Sequence, residues 1–206
     1  MLIIFDFDGV LYKASWKGLS EAYKAVIKSQ GKNYKDFFKN INEFKKWWSP
    51  DWHKNNRKLA IKEEDIDDAH RIFYEISNSY TYLFPWVGEV FRELRHRHQL
   101  ALVTNRHREN AEKILGPLKG HFSFIIGGED VKKLKPNPEG IRIILREACI
   151  YPEDALIIGD MPEDIVAGKA AGVKTGAVKW GLAKWEDLLA LDPDYKFKKY
   201  TDLLRI

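Results

Sequence analysis

The sequence predicts a doubly wound α/β fold: a Rossmann-like parallel sheet with a small α-helical cap inserted into it. Three observations point there. Short apolar runs recur along the chain, and most are followed by a stretch with helical periodicity. The runs are continuously apolar rather than alternating, the pattern of strands covered on both faces. One gap between runs is far longer than a crossover helix requires.

The first run is Leu2–Phe5 and the next is Leu100–Val103, about 95 residues further on. Residues 86–98 supply the crossover helix expected between them, with Val87, Val90, Phe91 and Leu94 on one face. The remainder, residues 13–83, is therefore read as an inserted helical cap, and residues 1–12 with 84–206 as the α/β core. Within the insertion, Trp16–Ser29, Tyr34–Trp48 and Lys62–Tyr80 read as helices. Its charge is uneven: residues 13–58 hold 12 Lys or Arg against 4 Asp or Glu, and residues 59–83 hold 2 against 6. After the second strand, Glu109–Leu115 reads as a helix stopped by Gly116-Pro117. Phe122–Ile126 is the third strand. Pro138–Cys149 is a helix, with Asn137 as its cap and Pro138 in its first turn. Ala155–Ile158 is the fourth strand, Pro162–Ala171 a helix closed by Gly172, and Lys174–Val178 the fifth strand.

Composition narrows the classes. The chain has 206 residues, 45% hydrophobic and 31% charged, which is globular rather than disordered. A net charge of +4 permits an anionic substrate without demanding one. The single cysteine, Cys149, rules out a disulfide framework within the chain. No run approaches the ~20 apolar residues that span a bilayer, so no membrane partner is expected. No signal peptide is read before Asp6, and the expected location is cytoplasmic. Oligomeric state is not legible.

The chemistry gathers at one edge. In open α/β sheets, ligands bind at the carboxyl ends of the strands. The first run is followed by Asp6-Phe7-Asp8-Gly9, the second by Thr104-Asn105-Arg106, and the fourth by Gly159-Asp160, with Asp164 four residues on. Lys135-Pro136 lies on the loop after the third. Clustered carboxylates repel, so a cation is needed to keep them ionised. A hard divalent ion such as Mg²⁺ suits a few carboxylates plus a substrate phosphate. A carboxylate can attack phosphorus, while Lys135 and Thr104 can hold phosphoryl oxygens. The turn after Thr104 is expected to lead into a helix whose first N–H groups also favour phosphate. Two side chains two residues apart lie on the same face of a strand, so Asp6 and Asp8 can face one phosphate. The chain is expected to leave the strand at about Asp6 and turn, which Gly9 would help.

DFDGV, VTN, KPNP and GDMPED, in that order, resemble the four motifs of the haloacid dehalogenase-like hydrolases. The subgroup they resemble includes phosphoglycolate phosphatase and β-phosphoglucomutase, which carry a helical cap after the first motif. The resemblance implies a Mg²⁺-dependent phosphatase working through an aspartyl phosphate on a small phosphate ester. Asp6 would be nucleophile and metal ligand. Asp8 would protonate the leaving group and activate water, its carbonyl also binding metal. Thr104, Asn105 and Lys135 would hold the phosphoryl group, Asp160 would ligate Mg²⁺, and Asp164 would support the site from behind. Dehalogenase members lack the second aspartate, so Asp8 points away from them. The stretch Val10–Ser15 departs from the subgroup pattern, which usually has an Asp-Ser or Asp-Thr pair there.

Two other readings compete. One is phosphate transfer within a sugar, as in a mutase. The other is a nucleic-acid-binding module using the basic, aromatic insertion, which the acidic second half and the complete catalytic set oppose. The insertion's aromatics are read first as core, and alternatively with Trp47, Trp48 or Trp52 stacking on a planar leaving group. Arg106 could reach an anionic group or serve structurally.

Overall fold

Leu2–Phe5 (β1) is wholly buried because it lies inside a sheet rather than at its edge. The computed structural model describes all residues, Met1–Ile206. They form two units: Met1–Lys13 with Leu83–Ile206, and Ala14–Tyr82. Two-residue strands, Tyr12–Lys13 (β2) and Tyr82–Leu83 (β3), occur where the chain passes from one to the other.

In the first unit β1 is joined by Gln99–Val103 (β4), Phe124–Ile126 (β5), Ala155–Gly159 (β6), Lys174–Val178 (β7) and Tyr195–Phe197 (β8). The order is β5-β4-β1-β6-β7-β8, with all pairs parallel. Ile4 lies opposite Ala101 on one side and Ile157 on the other. Side chains alternate across the sheet, so each strand feeds two cores. Ile3, Phe5, Leu100, Leu102, Leu156 and Ile158 pack against Val87–Leu94 (α5) and Arg108–Leu115 (α6). Leu2, Ile4, Ala101, Val103, Ala155 and Ile157 pack against Glu139–Ala148 (α7) and Pro162–Ala171 (α8). The parallel sheet and flanking helices are the expected doubly wound α/β architecture.

Several boundaries differ from the sequence reading, each for a local reason. The helix expected over 86–98 is α5, and residues 95–98 close in turns. The helix expected from Pro138 starts at Glu139, whose N–H is accepted by Asn137 Oδ1. It ends at Cys149, which adopts a left-handed conformation, φ 54°. The sixth strand, β8, was not anticipated, because three residues with a lysine at the centre carry no apolar run. It is held in place by the Asp194 carboxylate, which accepts from Thr175 N at 2.7 Å and Thr175 Oγ1 at 3.0 Å. The short helix Trp185–Leu189 (α9) was also unread.

The second unit consists of Trp16–Ser29 (α1), Ile41–Trp47 (α2), Trp52–Leu59 (α3) and Ile66–Asn78 (α4). The helix expected over Tyr34–Trp48 is broken, because Asn40 caps a new start by accepting from Asn42 N and Glu43 N. The one expected over Lys62–Tyr80 begins with a 3₁₀ turn at Glu63–Asp65 and becomes α-helical at Ile66. α3 escaped notice because its sequence, WHKNNRKL, is mostly polar; Asp51 caps it through Lys54 N at 3.1 Å. Tyr23, Ile27, Phe38, Phe44 and Leu59 form the core. Trp47 packs edge-on against Tyr23 and Phe38, and Trp48 against Trp16. Trp52 meets His70 edge-on. The aromatics are thus used in building a small core, the first of the two readings. No helix of either unit is long and apolar enough to cross a membrane.

Candidate active site

β1 is central, with β4 and β6 on either side, so the residues leaving these three strands emerge side by side. They are Asp6, Thr104 and Asp160, all buried. Asp6 still belongs to the ladder, donating its N–H to Ile158 O at 2.9 Å. The chain then coils: Leu11 N and Tyr12 N both donate to Phe7 O, and Gly9 N donates to Tyr12 O at 2.8 Å. Gly9 sits at φ +84°, and a Cβ there would overlap the Asp160 carboxylate. Glycine is therefore required twice over, for its backbone angle and for close approach. The turn expected at about Asp6 is present.

Lys135 arrives from the loop after β5, across a cis bond to Pro136. Its Nζ donates to Asp6 Oδ1 at 2.5 Å, Asp164 Oδ1 at 2.6 Å and Val103 O at 3.1 Å. Asn105, expected at the phosphoryl group, turns its side-chain amide elsewhere. Oδ1 accepts from Lys135 N at 2.9 Å and Nδ2 donates to Lys135 O at 3.2 Å. Its side chain thereby fixes the backbone that carries the ammonium. Thr104 Oγ1 accepts from Arg106 N at 3.1 Å. The helix N-terminus expected to offer N–H groups for phosphate does not do so at its first residue: Arg108 N already donates to both oxygens of Glu129, at 2.8 and 3.0 Å. A carboxylate at that position satisfies the helix dipole itself.

Asp160 and Asp164 are nearly inaccessible. Asp164 Oδ2 accepts from Asp160 N and Met161 N, fixing the start of α8. Asp160 Oδ2 accepts from Leu182 N at 2.7 Å. The neighbouring Gly181 lies so close that a Cβ would overlap Asp160. Oδ1 of Asp160 is buried with no hydrogen-bond partner. An orphaned buried carboxylate oxygen is costly and calls for a ligand.

The electrostatics point the same way. Burial pushes Asp6 up to about 7, against the pull of Lys135, and Asp164 and Asp8 add to the rise. Burial, with Asp6 and Asp164 nearby, holds Asp160 well above the usual carboxylate range. Burial opposes the charge on Lys135, but Asp164 and Asp6 outweigh it and raise its pKa. One ammonium thus faces three carboxylates, an excess of negative charge without solvent. Oxygens of Asp6, Asp160 and Asp164 lie within 4.8 Å of one another. Ligands on opposite sides of a hard cation, each at about 2.0–2.5 Å, would be separated by about that much. The donor set is all oxygen and fits a hard divalent cation.

Arg106, read as reaching an anionic group or serving structurally, pairs with Asp8 at 2.7 Å. Sequence reasoning missed two contributors: the Gly181-Leu182 loop against Asp160, and Glu129, which accepts from the first N–H of α6. Only Gly181 carried a signal, as a glycine in the loop just beyond a strand.

The chain is similar to known proteins along its whole length. Residues 3–178 match the family model described as haloacid dehalogenase-like hydrolase. A phosphoglycolate phosphatase of Aquifex aeolicus is 30% identical over 210 residues, covering 100% of this chain and 95% of that protein. Pyrophosphatase PpaX of Oceanobacillus iheyensis is 29% identical, covering 99% and 95%. Among solved structures, a haloacid dehalogenase-like family hydrolase from Streptococcus pneumoniae superposes with a TM-score of 0.76 at 24% identity, covering 99% of this chain and 96% of its own. With the four motifs converging on one buried carboxylate cluster, the chain belongs to the haloacid dehalogenase-like hydrolases.

Proposed function

We propose that this hydrolase is a Mg²⁺-dependent phosphatase that cleaves a small phosphomonoester through an aspartyl phosphate on Asp6. The observation that carries the reading is the placement of Asp6: buried at the end of the central strand, 2.5 Å from Lys135 Nζ and grouped with Asp160 and Asp164. Mg²⁺ would be held by Asp6, Asp160 and the Asp8 carbonyl, with Asp164 bracing them, and would supply positive charge to the carboxylates and the phosphoryl oxygens.

In this reading a carboxylate oxygen of Asp6 attacks phosphorus, and the bond from phosphorus to the leaving alcohol breaks. Asp8 gives its proton to that alcohol. Lys135 shifts its hydrogen bonds from Asp6 towards the phosphoryl oxygens, and Thr104 Oγ1 donates to one of them. Asn105 acts through Lys135, by clamping its main chain. Water then attacks phosphorus, Asp8 takes the water proton, and the bond to Asp6 breaks. Residues 13–83 would serve as the cap that sets which leaving groups are admitted, and residues 1–12 with 84–206 as the catalytic core. The expected site of action is the cytoplasm.

Two relatives bear the names phosphoglycolate phosphatase and pyrophosphatase PpaX. Phosphoglycolate and inorganic pyrophosphate therefore lead the substrate panel, followed by sugar and nucleotide phosphates. The deciding experiment uses 4-nitrophenyl phosphate with Mg²⁺. Wild-type protein should hydrolyse it, chelator should stop it, and Asp6→Asn should lose more than about a thousandfold in kcat. Activity surviving in Asp6→Asn would overturn the nucleophile assignment.

A further inference from the structure

The side chain of Arg106 is almost entirely enclosed, at 6% exposure, and it pairs with Asp8. Its guanidinium takes Asp8 as a fork: Nε donates to Oδ2 at 2.9 Å and Nη2 to Oδ1 at 2.7 Å. The third nitrogen, Nη1, donates to Asn110 Oδ1 on α6 at 2.5 Å. The guanidinium carbon lies 5.5 Å from the centre of the Phe7 ring. The main chain is fixed as well, since Arg106 N donates to Thr104 Oγ1 and Arg106 O accepts from Gly128 N at 2.8 Å. Arg106 is thus braced from four sides, while the Asp8 side chain remains 31% exposed.

From this geometry we infer that Arg106 is a positioning residue for Asp8, aiming its carboxylate from behind so that the exposed lone pairs meet the attacking water. This deepens the proposed phosphatase reading and rests on it. A carboxylate has about four lone-pair sites, and a bidentate guanidinium occupies one on each oxygen. Those remaining point away from the fork, in a direction the fork fixes. Without it the side chain is free to rotate about two torsions. Lysine cannot replace the fork, because its ammonium is a point charge without the planar geometry.

The test is Arg106→Lys on 4-nitrophenyl phosphate with Mg²⁺, beside Asp8→Asn. 4-Nitrophenolate leaves without much help from an acid, so kcat/KM, which reports steps through its departure, leans little on Asp8. Hydrolysis of the phosphoenzyme leans on it fully. Arg106→Lys should lower kcat about tenfold or more, within the range of general-base contributions. The fall in kcat/KM should be about threefold at most, so that KM drops in step. A rapid burst of about one equivalent of nitrophenolate should precede the slow steady state. A proportional loss in kcat and kcat/KM without a burst, or no change in either, overturns the inference. If Arg106→Lys does not fold, Asn110→Ala, which removes one brace, is read the same way. A few-fold fall in kcat with a matching fall in KM supports the inference, and an unaltered or proportional profile overturns it. Asp8→Asn separates the two layers. If it shows no such split, the role of Asp8 fails and the inference falls with it. If it shows the split and the arginine variant does not, only the inference fails.

Discussion

At the scale of single residues, the site is governed by negative charge out of reach of water. The pH dependence of stability follows from Asp6, which titrates near 3.8 ordinarily and at about 7 in the fold. A carboxylate with a raised folded pKa leaves the native state holding more protons than the unfolded chain between those values. Its contribution is complete below about pH 3.8 and is lost as pH rises through about 7. The rise at Asp160 has the same sign. Cation-free protein should therefore melt at a lower temperature at pH 7.5 than at pH 5, and Mg²⁺ should narrow the gap by favouring the ionised forms. Melts in chelator and in Mg²⁺ at both pH values check this; a cation-free protein more stable at pH 7.5 contradicts it. Gly181→Ala is a second test at this scale. The new methyl group must displace Asp160 or the Leu182 N–H that holds it. The increase in melting temperature on adding Mg²⁺ should shrink to less than about half of the wild-type increase, and an undiminished one would show that this loop does not hold Asp160.

At the scale of elements, the site depends on what each strand does after it ends. β1 passes straight into a coil closed on Phe7 O, β4 into the Thr104–Arg106 turn, and β6 into α8 through the Asp164 carboxylate. These turns keep their positions because the strands beneath are locked by packing on both faces. α5 contributes much of one face: Phe91 is fully buried, with its ring 5.0 Å from Phe5 and 5.3 Å from Phe122. Phe91→Ala should cost about 3–5 kcal/mol in denaturant unfolding, as large-to-small core changes do. A loss under about 1 kcal/mol would mean the core refills the space. The carboxyl ends were legible from the apolar runs. β8 and α3 were not, because three residues centred on a lysine and a mostly polar octapeptide show no apolar pattern, and the contacts that position them, such as Asp194 on Thr175 and Asp51 on Lys54 N, are polar.

At the scale of the molecule, the two units each have a core of their own. The points where the chain leaves and re-enters the α/β unit are adjacent, since Phe84 N donates to Leu11 O at 3.2 Å. A short Gly/Ser linker in place of residues 14–82 should therefore leave the sheet unit able to fold. If the helical unit sets specificity, this variant should discriminate less among sugar, nucleotide and two-carbon phosphates. It should keep a larger share of its activity on 4-nitrophenyl phosphate than on the preferred natural ester. A kinetic panel on the two proteins decides it, and an equal loss on every substrate counts against a specificity role.

The sequence alone determined the fold class, the insertion and the sheet edge on which the candidate site gathers. These follow from local periodicity and from spacing along the chain: apolar strands, a gap too long for one helix, and polar residues placed just past each run. It also placed Asp6, Asp160, Asp164, Thr104 and Lys135 at that edge. Only the tertiary structure decided how their charges meet. That Lys135 bridges Asp6 and Asp164, that Asn105 grips the Lys135 main chain, and that one oxygen of Asp160 is buried without a partner are all contacts between residues dozens of positions apart. The same is true of Arg106, whose partner Asp8 lies 98 residues away. Burial and orientation are properties of packed neighbours, and hydrogen bonds between distant turns have no period for a sequence to display.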